Sequence, residues 1–212
     1  MRIAYCSFIQ EMIKDGEPVI YQDETQFCSW HRPRKVWSYS DQPIPEVVST
    51  IRYARSVIGG ISNVFQGVCY IAVARNNAES FLDFLKKLVE KVGPNCAEIR
   101  PILVMDNYCT HFARSVRSYL HAHFRAVYLP PYSSELNNIE HLWSVSKNLV
   151  RRAIVENPVT CDADFFDIIN TCHDSIPDET VRRIVEGNTR VVDSYATRIE
   201  ELGGYEGEEE SD

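Results

Sequence analysis

The segment 101–111, PILVMDNYCTH, contains the strand on which the fold of this chain depends. Its first five residues form a continuous apolar run, which is typical of a strand buried on both faces of a sheet. The run ends at Asp106, and a helix is predicted shortly afterwards, over 113–123. Ligands of α/β sheets gather at strand ends, so Asp106 is a candidate site residue. An Asp at a strand end can also simply cap the next turn, and for Asp106 alone the two interpretations are equally supported.

The rest of the chain predicts strands and helices around this segment. Strands are expected over 19–22, 35–39, 51–58, 67–74 and 127–129, with a loop at 41–45 and with Gly59-Gly60 joining the third strand to the fourth. Helices are expected over 2–14, 77–92 and 138–153, followed by a helical region over 162–200. Strands come first and then alternate with helices, which predicts a mixed α/β sheet covered by helices on both sides.

The periodicity of the first two helices predicts which residues they bury. The expected inward residues are Ile3, Phe8, Ile9 and Met12 in the first helix, and Phe81, Leu82, Leu85, Leu88 and Val89 in the second.

Composition limits the classes of protein to which the chain can belong. With 212 residues, 44% hydrophobic and 25% charged, it is typical of a globular domain. No apolar run approaches the roughly 18 residues needed to cross a bilayer, and the N-terminus lacks a signal-peptide profile. The seven cysteines are odd in number and contain no CxxC pair, which favours reduced thiols over disulfides or a zinc site. Cys69 and Cys109, which flank apolar strands, are expected to be small core residues.

The net charge of −8 is concentrated at the C-terminus. Residues 200–212 hold seven acidic and no basic residues, so the charge of residues 1–199 is only −1. The tail is predicted to be disordered. The nearly neutral charge of residues 1–199 is compatible with binding to a nucleic acid.

Two more acidic residues accompany Asp106. Asp23 follows the strand 19–22, and alternation sends Asp23 and Glu24 to opposite faces, one solvated and the other facing the end of the sheet. Glu140 lies in the first turn of the helix 138–153. Here a capping box with Asn137 as N-cap and Glu140 as its partner is the rival interpretation. Three carboxylates from distant parts of a chain can hold two divalent cations, which drive in-line displacement at a phosphodiester.

The segment 128–147, YLPPYSSELNNIEHLWSVSK, resembles the third catalytic motif of the mariner-type DDE transposases, a superfamily that includes mariner and Sleeping Beauty. That motif reads LPPYSPDLNPIE, followed by a Trp and a Lys. The matching residues are Leu129, Pro130, Pro131, Tyr132, Ser133, Leu136, Asn137, Ile139, Glu140, Trp143 and Lys147. Ser134, Glu135 and Asn138 stand where the family has Pro, Asp and Pro.

The other motifs of the family are matched in the same order along the chain. YQDETQF (21–27) is similar to the first motif and LVMDNYCTH (103–111) to the second, while RKVWSYSDQPI and VIGGIS also look like family segments. The interval between Asp106 and Glu140 is 33 residues, close to the family's usual value.

This resemblance, which covers about residues 2–200, implies a ribonuclease H-like fold: a mixed sheet flanked by helices, with a helical C-terminal extension. Residues 1–155 would form the catalytic domain, 156–200 its C-terminal helical part, and 201–212 a disordered acidic tail. It also implies that Asp23, Asp106 and Glu140 hold two Mg²⁺ (or Mn²⁺) ions.

The implied activity is cleavage and strand transfer of double-stranded DNA in cut-and-paste transposition, at TA target sites and by a homodimer on DNA. No membrane and no small-molecule cofactor are expected as partners. The expected location is the nucleus in a eukaryotic host and otherwise the cytoplasm, without secretion.

Several further residues are candidates for supporting roles. Asn107 and His111 follow Asp106 at the family's offsets, and His111 either positions substrate, supports Asp106 or is purely structural. Lys147 falls on the same side of its helix as Glu140 and Trp143, where it either meets a phosphate or is solvated.

The remaining candidates have weaker signals. Arg151, Arg152 and the cluster 32–35 either contact DNA backbone or are solvated. Glu135 is the runner-up metal ligand, although a helix would set it about 140° from Glu140. His121 and His123 show no metal-ligand spacing.

Three alternatives to an active transposase domain are open. The family's full-length members carry helix-turn-helix modules ahead of the catalytic domain, and none is expected here, which predicts only weak, salt-sensitive DNA binding. The chain could then be a non-catalytic interaction module or a decayed relic that retains the fold. A ribonuclease H-like nuclease for RNA–DNA hybrids is disfavoured by the third motif. Three acids that coincide by chance are disfavoured because all three motifs match in the right order.

Overall fold

The computed structural model describes residues 1–30 and 52–187, which form a five-stranded mixed sheet between two layers of helices. The strands are β1 (Val19–Cys28), β2 (Ala54–Ser62), β3 (Cys69–Val73), β4 (Ile102–Met105) and β5 (Arg125–Tyr128). Their order is β3-β2-β1-β4-β5; β1 pairs antiparallel with β2 and β2 with β3, while β4 runs parallel to both β1 and β5. The helices are α1 (Arg2–Lys14), α2 (Ala78–Val92), α3 (Cys96–Ile99), α4 (Arg114–His123), α5 (Ile139–Glu156), α6 (Asp162–Asp174) and α7 (Asp178–Gly187).

The interior strand β4, between β1 and β5, is buried on both faces, as its apolar run predicts, and all four of its residues are 0% exposed. Ile102 and Val104 pack toward α1, α5 and α6, while Leu103 and Met105 pack toward α2 and α4. In the parallel register, Tyr21 of β1 pairs with Val104. Asp23 and Asp106 each follow two residues later, so the register brings the two acids to the same edge of the sheet.

The Gly59-Gly60 pair lies inside β2, so the prediction that it joins two strands is wrong. The hairpin connection comes later, between Ser62 and Cys69. A Cβ at Gly59 would lie 2.6 Å from the indole of Trp143, and one at Gly60 would lie 3.3 Å from the ring of Phe84. The two glycines therefore admit one aromatic ring from the helix layer on each face, which is a recurrent use of glycine within a strand.

The structure confirms some of the residues predicted to be buried in α1 and α2 and corrects others. In α1 the buried residues are Tyr5, Cys6 and Ile9, whereas Ile3 and Phe8 are 48% and 39% exposed. In α2 the predicted Phe81, Leu85 and Leu88 are buried together with Phe84, which the prediction omitted, and Leu82 and Val89 are half-buried. A helix with a broad apolar stripe can rotate slightly about its axis, and the sheet beneath decides which edge of the stripe is covered.

Other predictions differ at element boundaries. β1 continues to Cys28, six residues past its predicted end, because β2 pairs with it throughout. The region from residue 162 holds two helices, α6 and α7, separated at Ser175–Pro177. Cys69 is buried as expected, but Cys109 is exposed, and all seven cysteines are free. No helix within residues 1–30 and 52–187 is both long and apolar enough to cross a membrane.

Some predictions fall outside the described residues. They are the strand 35–39, the loop 41–45, the basic cluster 32–35, the helical region beyond residue 187 and the acidic tail.

Candidate active site

Three predicted acids from different elements line one cavity of about 880 Å³. Asp23 comes from β1, Asp106 follows β4, and Glu140 lies in the first turn of α5. The segment Tyr128–Ser134 forms another wall of this cavity, together with Asn107 and Asn137. None of the described residues that line it is a Lys or Arg, so no basic side chain among them compensates the three carboxylates.

The carboxylate of Asp23 is held by the indole of Trp143, whose Nε1–H donates to Oδ2 at 3.0 Å. Burial raises the pKa of Asp23 to about 7, and the charges of Glu140 and Glu24 add to this, while hydrogen bonds from the Glu24 backbone and Trp143 oppose it. The ionised form of Asp23 is thus disfavoured mainly by burial, and an excess of nearby negative charge adds to this. A divalent cation would relieve that excess, so this set of oxygen donors fits a hard metal ion.

Asp106 caps the turn that follows its strand and also lines the cavity. Its Oδ1 accepts a hydrogen bond from the Tyr108 backbone N–H at 2.9 Å, which caps the turn after β4. Its side chain is also 47% exposed and lines the cavity. Capping by one oxygen fixes the carboxyl group while leaving the other oxygen for a ligand.

His111 joins the loop after β4 to β1. Its buried ring meets the backbone carbonyl of Asp106 through Nδ1 at 3.1 Å and the Glu24 carboxylate through Nε2 at 3.0 Å. Burial alone would lower the pKa of His111, but the hydrogen bond and charge of Glu24 raise it overall. An imidazolium can donate to both oxygens at once, so His111 supports Asp106 from beneath, one of the three roles that the sequence left open.

The Glu24 side chain is only 11% exposed. The prediction that one member of the pair Asp23–Glu24 is solvated is therefore wrong, because neither carboxylate is exposed: the first meets Trp143 and the second His111.

A second grouping of possible metal ligands consists of Glu24, Asp106 and His111, whose ligand atoms lie within 4.8 Å of one another. Both ring nitrogens of His111 are already committed to hydrogen bonds, and a protonated imidazole has no lone pair for a metal. These contacts are better explained as support for Asp106 than as a metal site.

Glu140 is exposed, and no described donor hydrogen-bonds its carboxylate. The capping-box alternative is wrong, because the N-cap of α5 is Asn138 and makes no side-chain cap. Asn137 instead donates its Nδ2–H to the backbone carbonyl of Gln22 at 2.9 Å, beside Asp23. This bond ties the start of α5 to β1 and leaves Glu140 free for a ligand.

The other candidates take different positions. Asn107 lines the cavity and donates its side-chain amide to the Leu129 carbonyl at 2.9 Å, which joins two cavity walls. Lys147 is half-buried two turns along α5 from Glu140, near Cys28, and is not among the cavity-lining residues. Arg151 and Arg152 lie farther along the same helix, also away from the cavity.

Glu135 does not act as the runner-up ligand in this structure. It belongs to the short 3₁₀ turn Ser134–Leu136 rather than to α5, and it pairs with Arg2 at 3.3 Å. His121 is exposed on α4, and His123 bonds the Tyr119 carbonyl at 3.0 Å.

Sequence reasoning missed the roles of Glu24, Asn137 and Trp143. The spacing of Trp143 from Glu140 places both on one side of α5, but nothing local indicates that the indole reaches Asp23, 120 residues away. Strand alternation correctly places Glu24 and Asp23 on opposite faces. It does not indicate that the Glu24 carboxylate binds the buried His111.

Comparison with known proteins agrees with this geometry. Residues 18–158 match the family described as DDE superfamily endonuclease, and the chain belongs to that family. It is 26% identical over 138 residues to an uncharacterized 39 kDa protein of insertion element IS630 from Shigella sonnei; the match covers 64% of this chain and 39% of that protein.

Solved structures establish the fold. The crystal structure of the catalytic domain of Mos1 mariner transposase matches with a TM-score of 0.65 and 15% identity, over 93% of this chain and 91% of that domain. The Mos1 chain of a pre-cleavage transpososome matches with a TM-score of 0.69 and 17% identity, over 93% of this chain and 61% of that one. These structures confirm the ribonuclease H-like fold, and the family match confirms the DDE family that the resemblance implied. The chain spans about two fifths of the IS630 protein and 61% of the Mos1 chain in that assembly.

Proposed function

We propose that this chain is the catalytic domain of a DNA transposase, which cleaves DNA phosphodiesters and transfers the cut strands. The observation that carries the proposal is the meeting of Asp23, Asp106 and Glu140 in one cavity with no lysine or arginine among its described lining residues. Membership of the DDE endonuclease family supports it. The complete transposition reaction and its DNA ends belong to the proposal, because the chain spans only part of its relatives.

Asp23, Asp106 and Glu140 are the proposed catalytic residues and the proposed ligands of two Mg²⁺ or Mn²⁺ ions. When bound, such ions activate a hydroxyl nucleophile and stabilise the leaving oxygen of an in-line displacement. A Mos1 paired-end complex has been solved with Mn, which supports the class of metal. Carboxylate oxygens suit these hard cations better than sulfur or nitrogen donors would.

The chain's own contribution is to hold the three carboxylates in position before a ligand arrives. Trp143 fixes one oxygen of Asp23, and the Tyr108 backbone N–H fixes one oxygen of Asp106. His111 braces the backbone of Asp106 against β1. Glu140 is unrestrained except by its helix, so it is the carboxylate that can adjust most readily to the metal and the DNA.

Double-stranded DNA is the proposed partner, and a homodimer is the proposed form of the protein on DNA. The DNA partner is supported by Mos1, which has been solved as a transpososome and as a paired-end complex with a transposon end. A DNA substrate implies the nucleus in a eukaryotic host and the cytoplasm in a bacterial one.

The test is nicking of supercoiled plasmid by the purified protein with Mn²⁺ or Mg²⁺, beside Asp106→Asn and Glu140→Gln. Glu135→Gln is the matched control, since it removes the same charge from an exposed carboxylate a few residues from Glu140 and outside the cavity. We expect nicking by the wild type and by Glu135→Gln, and none by the two cavity variants. Thermal unfolding establishes that all four proteins are folded.

Two outcomes contradict the proposal. Nicking that survives in both cavity variants would come from another site, and a folded wild type that nicks no DNA with either metal would not be a transposase domain that is active by itself. An RNA–DNA hybrid tested in parallel distinguishes the nuclease alternative, which predicts cleavage of the RNA strand only.

A further inference from the structure

One face of α4 forms a basic surface beside the catalytic cavity. Arg114, Arg117 and His121 are three or four residues apart along the helix, so they project from the same side. With Phe112 and Ser118 they line a second cavity of about 590 Å³. We call these five residues the α4 surface.

The charge of the α4 surface is uncompensated within the part of the chain that the structure describes. α4 contains no acidic residue, both arginines are exposed, and no described carboxylate lies within ion-pair distance of either guanidinium. The arginines of α7 differ, because Arg182 and Arg183 both pair with Glu179. Exposed arginines without an acidic neighbour can bind an anionic ligand.

The α4 surface is continuous with the catalytic cavity through two aromatic rings. Phe112, which is 46% exposed, stacks on Tyr128 with ring centroids 5.3 Å apart and an angle of 19° between the planes. Tyr128 is in turn a lining residue of the catalytic cavity. Burial raises the pKa of Tyr128, and the positive charge of Arg117 opposes that rise.

We propose that the α4 surface binds the phosphodiester backbone of the DNA that enters the catalytic cavity. This rests on the function proposed above. Guanidinium groups bind phosphates through paired hydrogen bonds and do not lose their charge. Arg114 and His121 are seven residues apart, which is about 10 Å along a helix at 1.5 Å per residue. That separation allows the two side chains to contact different phosphates of one strand.

Such a surface would act on substrate placement rather than on the chemical step. The three carboxylates carry negative charge and would repel a DNA backbone, so a flanking basic surface would hold the DNA near them. Contacts to phosphates carry no base information, and the α4 surface should therefore bind different DNA sequences about equally.

The experiment measures binding of a fluorescently labelled 30-base-pair duplex by anisotropy, without divalent metal, over a series of salt concentrations. The test variant is Arg114→Ala/Arg117→Ala. The control is Arg182→Ala/Arg183→Ala, which removes the same charge from exposed arginines on α7. Both variants are first checked for unchanged helical content and thermal midpoint.

We expect the α4 variant to bind at least several-fold more weakly. Its salt slope should be shallower by about two, because each removed arginine leaves one DNA phosphate without a neutralising cation. The α7 control should keep the wild-type slope. Equal weakening of both double variants would mean a general charge effect and would overturn the proposal, as would an unchanged α4 variant or a wild type that binds no DNA.

Plasmid nicking by the wild type, measured separately, distinguishes this inference from the proposed function. The protein could bind DNA through Arg114 and Arg117 and yet nick no DNA. That result would support the α4 surface as a DNA-binding site and reject the catalytic role. Metal-dependent nicking by the wild type, together with unaltered DNA binding by the α4 variant, would support the catalytic role and reject the α4 surface as a DNA-binding site.

Discussion

The two faces of the sheet are built from different chemistry. On the face covered by α5 and α6, buried polar side chains are linked in pairs: Trp143 to Asp23, Asn137 to the Gln22 carbonyl, and Ser146 to His173. On the face covered by α2, the contact residues are apolar, and Phe81, Phe84, Leu85 and Leu88 are all 0% exposed. The exception on this second face is His111, which is bound to Glu24 and whose ring centroid lies 4.4 Å from that of Phe81.

This difference indicates that the two faces have different roles. Apolar packing stabilises a fold in proportion to the area it buries, and it tolerates small displacements. Buried hydrogen bonds are directional, so a network of them fixes the position of each group. The α5 face therefore positions the acids of the cavity, and the α2 face mainly holds the sheet together.

The largest expected effect tests the α2 face. Phe84→Ala should lower the free energy of unfolding by about 3–5 kcal/mol, because it removes a fully buried ring and leaves a cavity. Urea titration measures the loss. Below the unfolding transition, the nicking rate per folded molecule should stay near that of the wild type, since Phe84 contacts none of the cavity acids. A folded Phe84→Ala protein that does not nick DNA would show that the α2 face also positions the acids of the cavity.

The next effect tests the α5 face. Trp143→Phe keeps a buried ring but removes the donor to Asp23, and we expect about 10–100-fold slower metal-dependent nicking, the usual range for a residue that orients a metal ligand. Val150→Ala, at a buried apolar position of the same helix, is the control for reduced packing. Equal nicking rates in the two variants would show that the indole contributes packing alone.

The smallest expected effect concerns pH. Burial lowers the pKa of His173 from its ordinary 6.5, so the folded protein holds the ring neutral. Nδ1–H donates to the Ile169 carbonyl at 2.7 Å, and Nε2 accepts from the Ser146 hydroxyl at 2.9 Å. The unfolded chain binds a proton below pH 6.5 that the folded chain does not, so this stability is complete above 6.5 and is lost as pH falls.

His173→Gln removes that proton-binding difference. Denaturant titrations at pH 7.5 and 5.5 should show a steeper loss of stability in the wild type, by at most about 1.4 kcal/mol per pH unit. If stability falls equally with pH in the two proteins, His173 does not couple folding to protonation. The hydrogen bonds of His173 on this face would then not hold its ring in the neutral form.

Much of the candidate site could be predicted because its signals are local. The run 101–105 is apolar at every position, which indicates a strand buried on both sides, and Asp106 ends it. The motif 128–147 places Glu140 at a helix start through its prolines and its Asn-rich approach. Local features made these acids candidates, and the resemblance to the mariner-type motifs selected Asp23, Asp106 and Glu140, without knowledge of their distances.

Only the tertiary structure decided what holds those acids in place. Glu24 meets His111 across 87 residues of chain, and Trp143 meets Asp23 across 120, and no period of 2 or 3.6 residues carries that information. Gly59 and Gly60 resemble a turn by composition, but the rings of Trp143 and Phe84 that need their space come from other elements. Local sequence determines strands, helices and the acids at their ends, because backbone geometry is local; the partners of each acid depend on packing between distant segments.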